Sequence, residues 1–141
     1  MTTIAYNHKD KEIAVDSRFT RGDVISTDKG VKVLKKGGVI FVCAGLSAQY
    51  QNIVDMWFTC EAVKDLRCSA FVVDNGVVYD YGIDCDGEIS KEAIDENLSK
   101  GSGEIWALAA MDFGRSAKDA VKYAMTRDIY TGGTVKVIKV K

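Results

Sequence analysis

An α+β protein of two antiparallel sheets with helices outside them is the fold this sequence predicts, on three observations. Short apolar runs recur in pairs around polar or glycine-bearing turns, helix-period stretches interrupt them in two places, and the C-terminus returns to an extended valine pattern. The resulting order is strands, one helix, strands, two helices, strand.

The hairpins come first. Thr3 to Tyr6 and Glu12 to Asp16 flank the polar Asn7-His8-Lys9-Asp10-Lys11. Val31 to Leu34 and Val39 to Ala44 flank Lys35-Lys36-Gly37-Gly38 in the same manner, and Ala70 to Val73 with Val77 to Tyr79 enclose Asp74-Asn75-Gly76. Asn75-Gly76 is the strongest of these turn signals. Leu46, Tyr50, Ile53, Val54, Trp57 and Phe58 recur at steps of three and four, which predicts an amphipathic helix with its aromatics in the core. Glu104 to Asp112 is Ala- and Leu-rich, Gly114 breaks it, and Ser116 with Asp119 reads as a capping box opening a helix that reaches about Arg127. Thr134 to Lys141 mixes valines and lysines, which suits an edge strand whose charges discourage further pairing.

With 141 residues, net charge −1, 47% hydrophobic content and no proline, the chain fits one globular domain over residues 1–141. No apolar run reaches the roughly 18 residues of a membrane span, and the N-terminus lacks a basic-then-apolar secretory pattern. A soluble, cytoplasmic protein with no membrane partner is expected. Basic residues are interspersed with acids, so a nucleic-acid partner is not expected either. Cys43, Cys60, Cys68 and Cys85 match no metal-ligand spacing and read as structural thiols; neither metal nor cofactor is expected. Asp84-Cys85-Asp86-Gly87-Glu88 has the outline of a calcium loop's start but lacks the later ligands, and reads as a solvated turn.

The chemistry-bearing candidate is Thr2, directly behind Met1. Removal of Met1 would leave a hydroxyl and a free α-amine on one residue, so nucleophile and base would be joined covalently, with an amine pKa of about 7.7–8.0 in the useful range. The single histidine, His8, lies in a polar turn, which leaves the α-amine the better candidate base.

Five separated segments carry a resemblance: Thr2-Thr3-Ile4-Ala5, Ile13-Ala14-Val15-Asp16-Ser17-Arg18, Ala44-Gly45, Gly101-Ser102-Gly103 leading into Ala107-Leu108-Ala109-Ala110-Met111-Asp112, and Asp128-Ile129-Tyr130-Thr131-Gly132-Gly133. In order and spacing the chain resembles a proteasome β-subunit or its bacterial relative HslV, within the N-terminal nucleophile hydrolases. The resemblance implies a four-layer αββα sandwich and a threonine-type endopeptidase that works through an acyl-enzyme. Thr2 would be the nucleophile, Lys32 the cation beside it, and Asp16 the carboxylate paired with that lysine. Ser102, Asp128 and Thr131 would orient the threonine amine and its proton network, and the Gly45 amide would face the oxyanion. Thr20 would pair its backbone with an extended substrate, and Phe19, Gly30, Cys43 and Ser47 would surround the primary pocket. With no acid in that set, an uncharged, apolar side chain is expected before the cleaved bond.

Each residue also has an ordinary reading: Thr2 as a strand start, Lys32 as a surface lysine, Asp16, Ser102, Asp128 and Thr131 as turn or capping residues, Gly45 as a strand-to-helix turn. The chain departs from the family between Glu61 and Ser69, too short for a second long helix, so one outer helix is expected to be missing. A polypeptide substrate, a homo-oligomeric ring and a separate ATP-dependent unfoldase are the implied partners; no P-loop is present in this chain. A catalytically silent ring-forming scaffold and a small-molecule amidase using the same N-terminal chemistry are the alternatives.

Overall fold

The N-terminal hairpin forms from β1 (Thr3–Asn7) and β2 (Glu12–Val15), paired antiparallel with Ala5 opposite Ala14. In the computed structural model, which describes residues 1–141, the chain folds as two units: Met1–Lys32 with Asp95–Lys141, and Val33–Ile94. The class is α+β, with antiparallel sheets and three α-helices.

In the first unit a ribbon follows the opening hairpin, β3 (Phe19–Arg21) with β4 (Val24–Thr27). Both come from a stretch the apolar pattern leaves unassigned. The other strands of this unit are β10 (Leu98–Gly101) and β11 (Lys136–Lys139), and they join the first hairpin in the order β10-β1-β2-β11. β11 is an edge strand, as its lysines suggested.

Two helices cover one face of this sheet: α2 (Glu104–Asp112) and α3 (Ala117–Met125). Ser116 caps α3 as expected, its hydroxyl accepting the Asp119 amide proton at 3.1 Å. Ala117, Ala120, Val121 and Ala124 are fully buried at steps of three and four, and they pack with Ala107 and Met111 of α2 and with Ala5 and Ala14 of the sheet. Small residues on both sides let backbone approach backbone.

The second unit is a five-stranded antiparallel sheet of β5 (Val33–Lys36), β6 (Val39–Gly45), β7 (Cys68–Asp74), β8 (Val77–Ile83) and β9 (Ile89–Ala93), in that order across the sheet. Its first hairpin begins two residues later than the Val31 start expected. Asn75 and Gly76 both take positive φ (50° and 76°), the two-residue turn that Asn-Gly announces. Between β6 and β7, a 3₁₀ turn (Ser47–Gln49) leads into α1 (Tyr50–Thr59), which buries Tyr50, Ile53, Val54 and Met56. Trp57 packs at 5.0 Å from Tyr81 and 6.1 Å from Phe41, ring centroid to centroid. Cys60 closes the helix in a left-handed conformation (φ 59°), and no helix lies between it and β7, as the short stretch from Glu61 to Ser69 led one to expect. All four cysteines are free thiols.

Candidate active site

Pairing in the first sheet dictates where the candidate side chains go. Thr2 stands one residue ahead of β1, and β1 lies between β10 and β2, with Thr3 opposite Gly101 and Ile4 opposite Val15. The residues just past the ends of those neighbours are Ser102 and Asp16, so both fall beside the start of β1. Gly101 takes φ +103° with its α-carbon almost against the Thr2 carbonyl, an approach and a conformation that a side chain would forbid.

Asp16 is buried and fully used as an acceptor. Its Oδ1 takes protons from the Thr3 amide at 3.1 Å and from Lys32 Nζ at 2.8 Å; its Oδ2 takes them from the amides of Arg18 at 3.3 Å and Gly132 at 3.0 Å. Neither side chain of the Lys32–Asp16 pair is exposed to solvent. Burial pulls the Lys32 pKa below its ordinary value, and the Asp16 carboxylate opposes that pull. Lys32 Nζ also donates to the Met1 carbonyl oxygen at 3.1 Å, which brings an ammonium group to the peptide bond that joins Met1 to Thr2. The Met1 amine is itself shifted down, by burial first and then by the Lys32 charge.

A second network leads away from Thr3. Thr131 Oγ1 donates to Asp128 Oδ2 at 2.6 Å and lies 2.7 Å from Thr3 Oγ1; with its proton committed to the carboxylate, Thr131 accepts from Thr3. Ser102 Oγ donates to the same Asp128 oxygen at 2.5 Å and lies 3.4 Å from the Thr2 carbonyl oxygen. The Tyr130 amide holds the other oxygen, Asp128 Oδ1, at 3.1 Å. Thr2, Asp16, Lys32, Ser102, Asp128 and Thr131 are thus brought together in one unit. Thr2 Oγ1 stands out among them: it is buried and has no hydrogen-bond partner.

Of the residues expected around the substrate, Thr20 lies in the β3 ribbon, half-buried, opposite Ile25. Phe19 lays its ring over Gly30, where any larger residue would collide with it, and Lys32 Nζ is 5.3 Å from the ring centroid. Cys43, Gly45 and Ser47 belong to the other unit. Cys43 is fully buried in β6 and Ser47 is exposed at the start of the 3₁₀ turn. Gly45 takes φ +109° opposite Cys68, with no room for a side chain beside the Arg67 carbonyl. Sequence reasoning missed Thr3, which links to Thr131, and Gly132, which supplies a proton to Asp16; both lie inside the segments that carry the resemblance, yet only their distant partners give them a role.

These elements make a proteasome β/HslV-like fold. No family model and no curated protein matches the sequence. Among solved structures the chain is similar to eukaryotic HslV from Trypanosoma brucei, with 20% identity, TM-score 0.74, and 97% of this chain and 98% of that one covered. It is equally similar to Thiobacillus denitrificans BPH in complex with epoxomicin, with 18% identity, TM-score 0.75, and 99% and 100% covered. BPH of the same organism gives 15% identity and TM-score 0.73, with 99% and 98% covered. No helix of the chain is long and apolar enough to cross a membrane.

Proposed function

We propose that this chain is a threonine peptidase whose nucleophile is Thr2 Oγ1, freed when the Met1–Thr2 bond is cut. The observation that carries the reading is a buried threonine hydroxyl with no partner, on the residue next to the carbonyl that Lys32 holds. Other buried polar side-chain atoms here are hydrogen-bonded; an unsatisfied one costs about 1–3 kcal/mol, a cost a reactive group can justify.

With Met1 attached, the Thr2 nitrogen is an amide and cannot act as a base. Once freed, the α-amine takes the Thr2 hydroxyl proton as Oγ1 adds to a substrate carbonyl carbon, giving a tetrahedral adduct. The amine then passes the proton to the leaving nitrogen, the C–N bond breaks, and an ester to Thr2 remains. Water activated by the same amine hydrolyses that ester. Lys32, held by Asp16, contributes a fixed positive charge that lowers the pKa of hydroxyl and amine alike. Asp128, Ser102 and Thr131 orient the amine. The substrate is a polypeptide bound in extended form along Thr20, with an apolar residue before the cleaved bond, and the protein works as a homo-oligomer in the cytoplasm.

The test is the intact mass of the protein before and after incubation with a threonine-directed β-lactone, with epoxomicin as a second probe. Loss of Met1 and one added acyl group, absent in Thr2→Ala, is the expected result. Met1 retained with no adduct would overturn the reading and leave a silent scaffold.

A further inference from the structure

Arg18 lies beside the candidate site without belonging to it. Its guanidinium grips Asp28 with two parallel bonds, Nε to Oδ1 at 2.8 Å and Nη2 to Oδ2 at 3.1 Å, and its remaining arm, Nη1, donates to the Ile129 carbonyl at 3.0 Å. The guanidinium also lies flat against Gly132, where even a methyl group would collide with it. Gly132 donates its amide proton to Asp16, and the Arg18 amide donates to the same carboxylate oxygen. Behind Asp28, the Ser17 hydroxyl lies between two backbone carbonyls, 2.7 Å from that of Thr134 and 3.0 Å from that of Asp28, and the Gly30 amide donates to the Ser17 carbonyl at 2.8 Å. One side chain therefore joins the segment that carries Asp16, the segment that runs into Lys32, and the loop that carries Thr131.

We propose that Arg18, locked onto Asp28, is a positioning residue for the Lys32–Asp16 pair. This rests on the function proposed above for that pair. An isolated ion pair at this exposure would contribute little, since the Arg18 and Asp28 side chains are 20% and 42% exposed. The planar fork with a third bond to a carbonyl fixes the guanidinium in one orientation, which a flexible lysine would not do. A fixed cation at that point acts on Lys32 through space as well as through the loops. The charged groups that bear on Lys32 are Asp16 and Asp128, which favour its ammonium form, and Arg18, which disfavours it; the Met1 amine is the further cation close by. Arg18 thereby helps hold the Lys32 proton loosely while Asp16 keeps the side chain in place.

The experiment is a pH titration of Lys32 by NMR in the full chain carrying ¹³C-labelled lysine, assigned with Lys32→Arg, in the unsubstituted protein and in Arg18→Gln, Arg18→Lys and Asp28→Asn. The expected result is a Lys32 midpoint raised by about half a pH unit in Arg18→Gln, and a smaller rise both in Asp28→Asn, where the guanidinium is released, and in Arg18→Lys, which keeps the charge but not the fixed fork. β-Lactone acylation should slow by about tenfold in Arg18→Gln. An unchanged midpoint in Arg18→Gln overturns the proposal, because a merely structural arginine would lower the rate without moving the titration. If Arg18→Gln does not fold, Asp28→Asn decides in the same way. Absence of any lactone adduct on the unsubstituted chain would count against the peptidase reading alone, since the titration requires no activity.

Discussion

Lys32 Nζ donates to Asp16 Oδ1 at 2.8 Å with both side chains wholly buried, and the two partners are not equally dependent on each other. Without Lys32, Asp16 keeps three amide donors, from Thr3, Arg18 and Gly132. Without Asp16, the Lys32 ammonium keeps the Met1 carbonyl and little else.

Asp16→Ala should therefore destabilise the fold by about 3–5 kcal/mol, the range for stranding a buried charge, and Lys32→Met by less. Urea unfolding at neutral pH reads the difference. Equal costs would mean that the ion pair, not the amide cradle, satisfies the carboxylate. Both variants should lose β-lactone acylation.

Alkaline pH should weaken the second unit. Burial pushes the Cys43 thiol up to about 12, Cys68 to about 11 and the Tyr81 phenol to about 12, from ordinary values of 9.0, 9.0 and 10.0. Above pH 9 the unfolded chain releases thiol protons that the folded chain keeps. Stability then falls with rising pH, by roughly 1.4 kcal/mol per pH unit for each such group within its window. Lys32 acts in the opposite sense: its folded pKa is lowered, so it adds stability as pH rises from that value towards 10.5. Cys43→Ala should flatten the alkaline decline in a series of unfolding curves between pH 8 and 11. An unaltered slope would show that the thiol reaches solvent.

Gly101→Ala should displace Thr2. The new methyl group meets the Thr2 carbonyl and the residue is held at φ +103°, so the variant loses more than about 1 kcal/mol and slows acylation out of proportion to that loss. Denaturation alongside lactone kinetics separates the two effects, and full activity in the variant would refute the steric account.

Ser116→Ala removes the only side-chain cap of α3 and should cost about 1 kcal/mol with the acylation rate unchanged. A thermal melt and the lactone assay together check this; a fall in rate would tie the helix to the chemistry.

Thr131→Val keeps the shape of the side chain and cuts the connection between Thr3 and Asp128. A roughly tenfold slower acylation with native folding is expected, since in the proposed mechanism the hydroxyl orients groups and does not react. An unchanged rate, measured by the growth of the adduct mass, would remove Thr131 from the proton network.

The legible parts of the fold are those with short-range causes. Asn75-Gly76 and Gly37-Gly38 take positive φ wherever two strands flank them, and Ser116 caps a helix whose own period aims Ala117, Ala120, Val121 and Ala124 at one face. β10 and β9 lacked such a signal. Leu98-Ser99-Lys100-Gly101 is extended because β1 pairs with it, and Ile89–Ala93, largely exposed, is extended because β8 does. The expected strand start at Val31 moved to Val33 because the intervening Lys32 goes to Asp16, a partner that apolar alternation does not register.

The sequence by itself determined the class of the fold, most of its hairpins and helices, and a residue able to carry both nucleophile and base. Only the tertiary structure decided that the Lys32–Asp16 pair implied by the resemblance would be wholly buried, that Thr131 would link Thr3 to Asp128, and that Arg18 would grip Asp28. The reason is the cost of burying polar groups: each is tolerable only where its partners converge from segments far apart in the chain, and convergence is a property of strand pairing, not of any local run of residues.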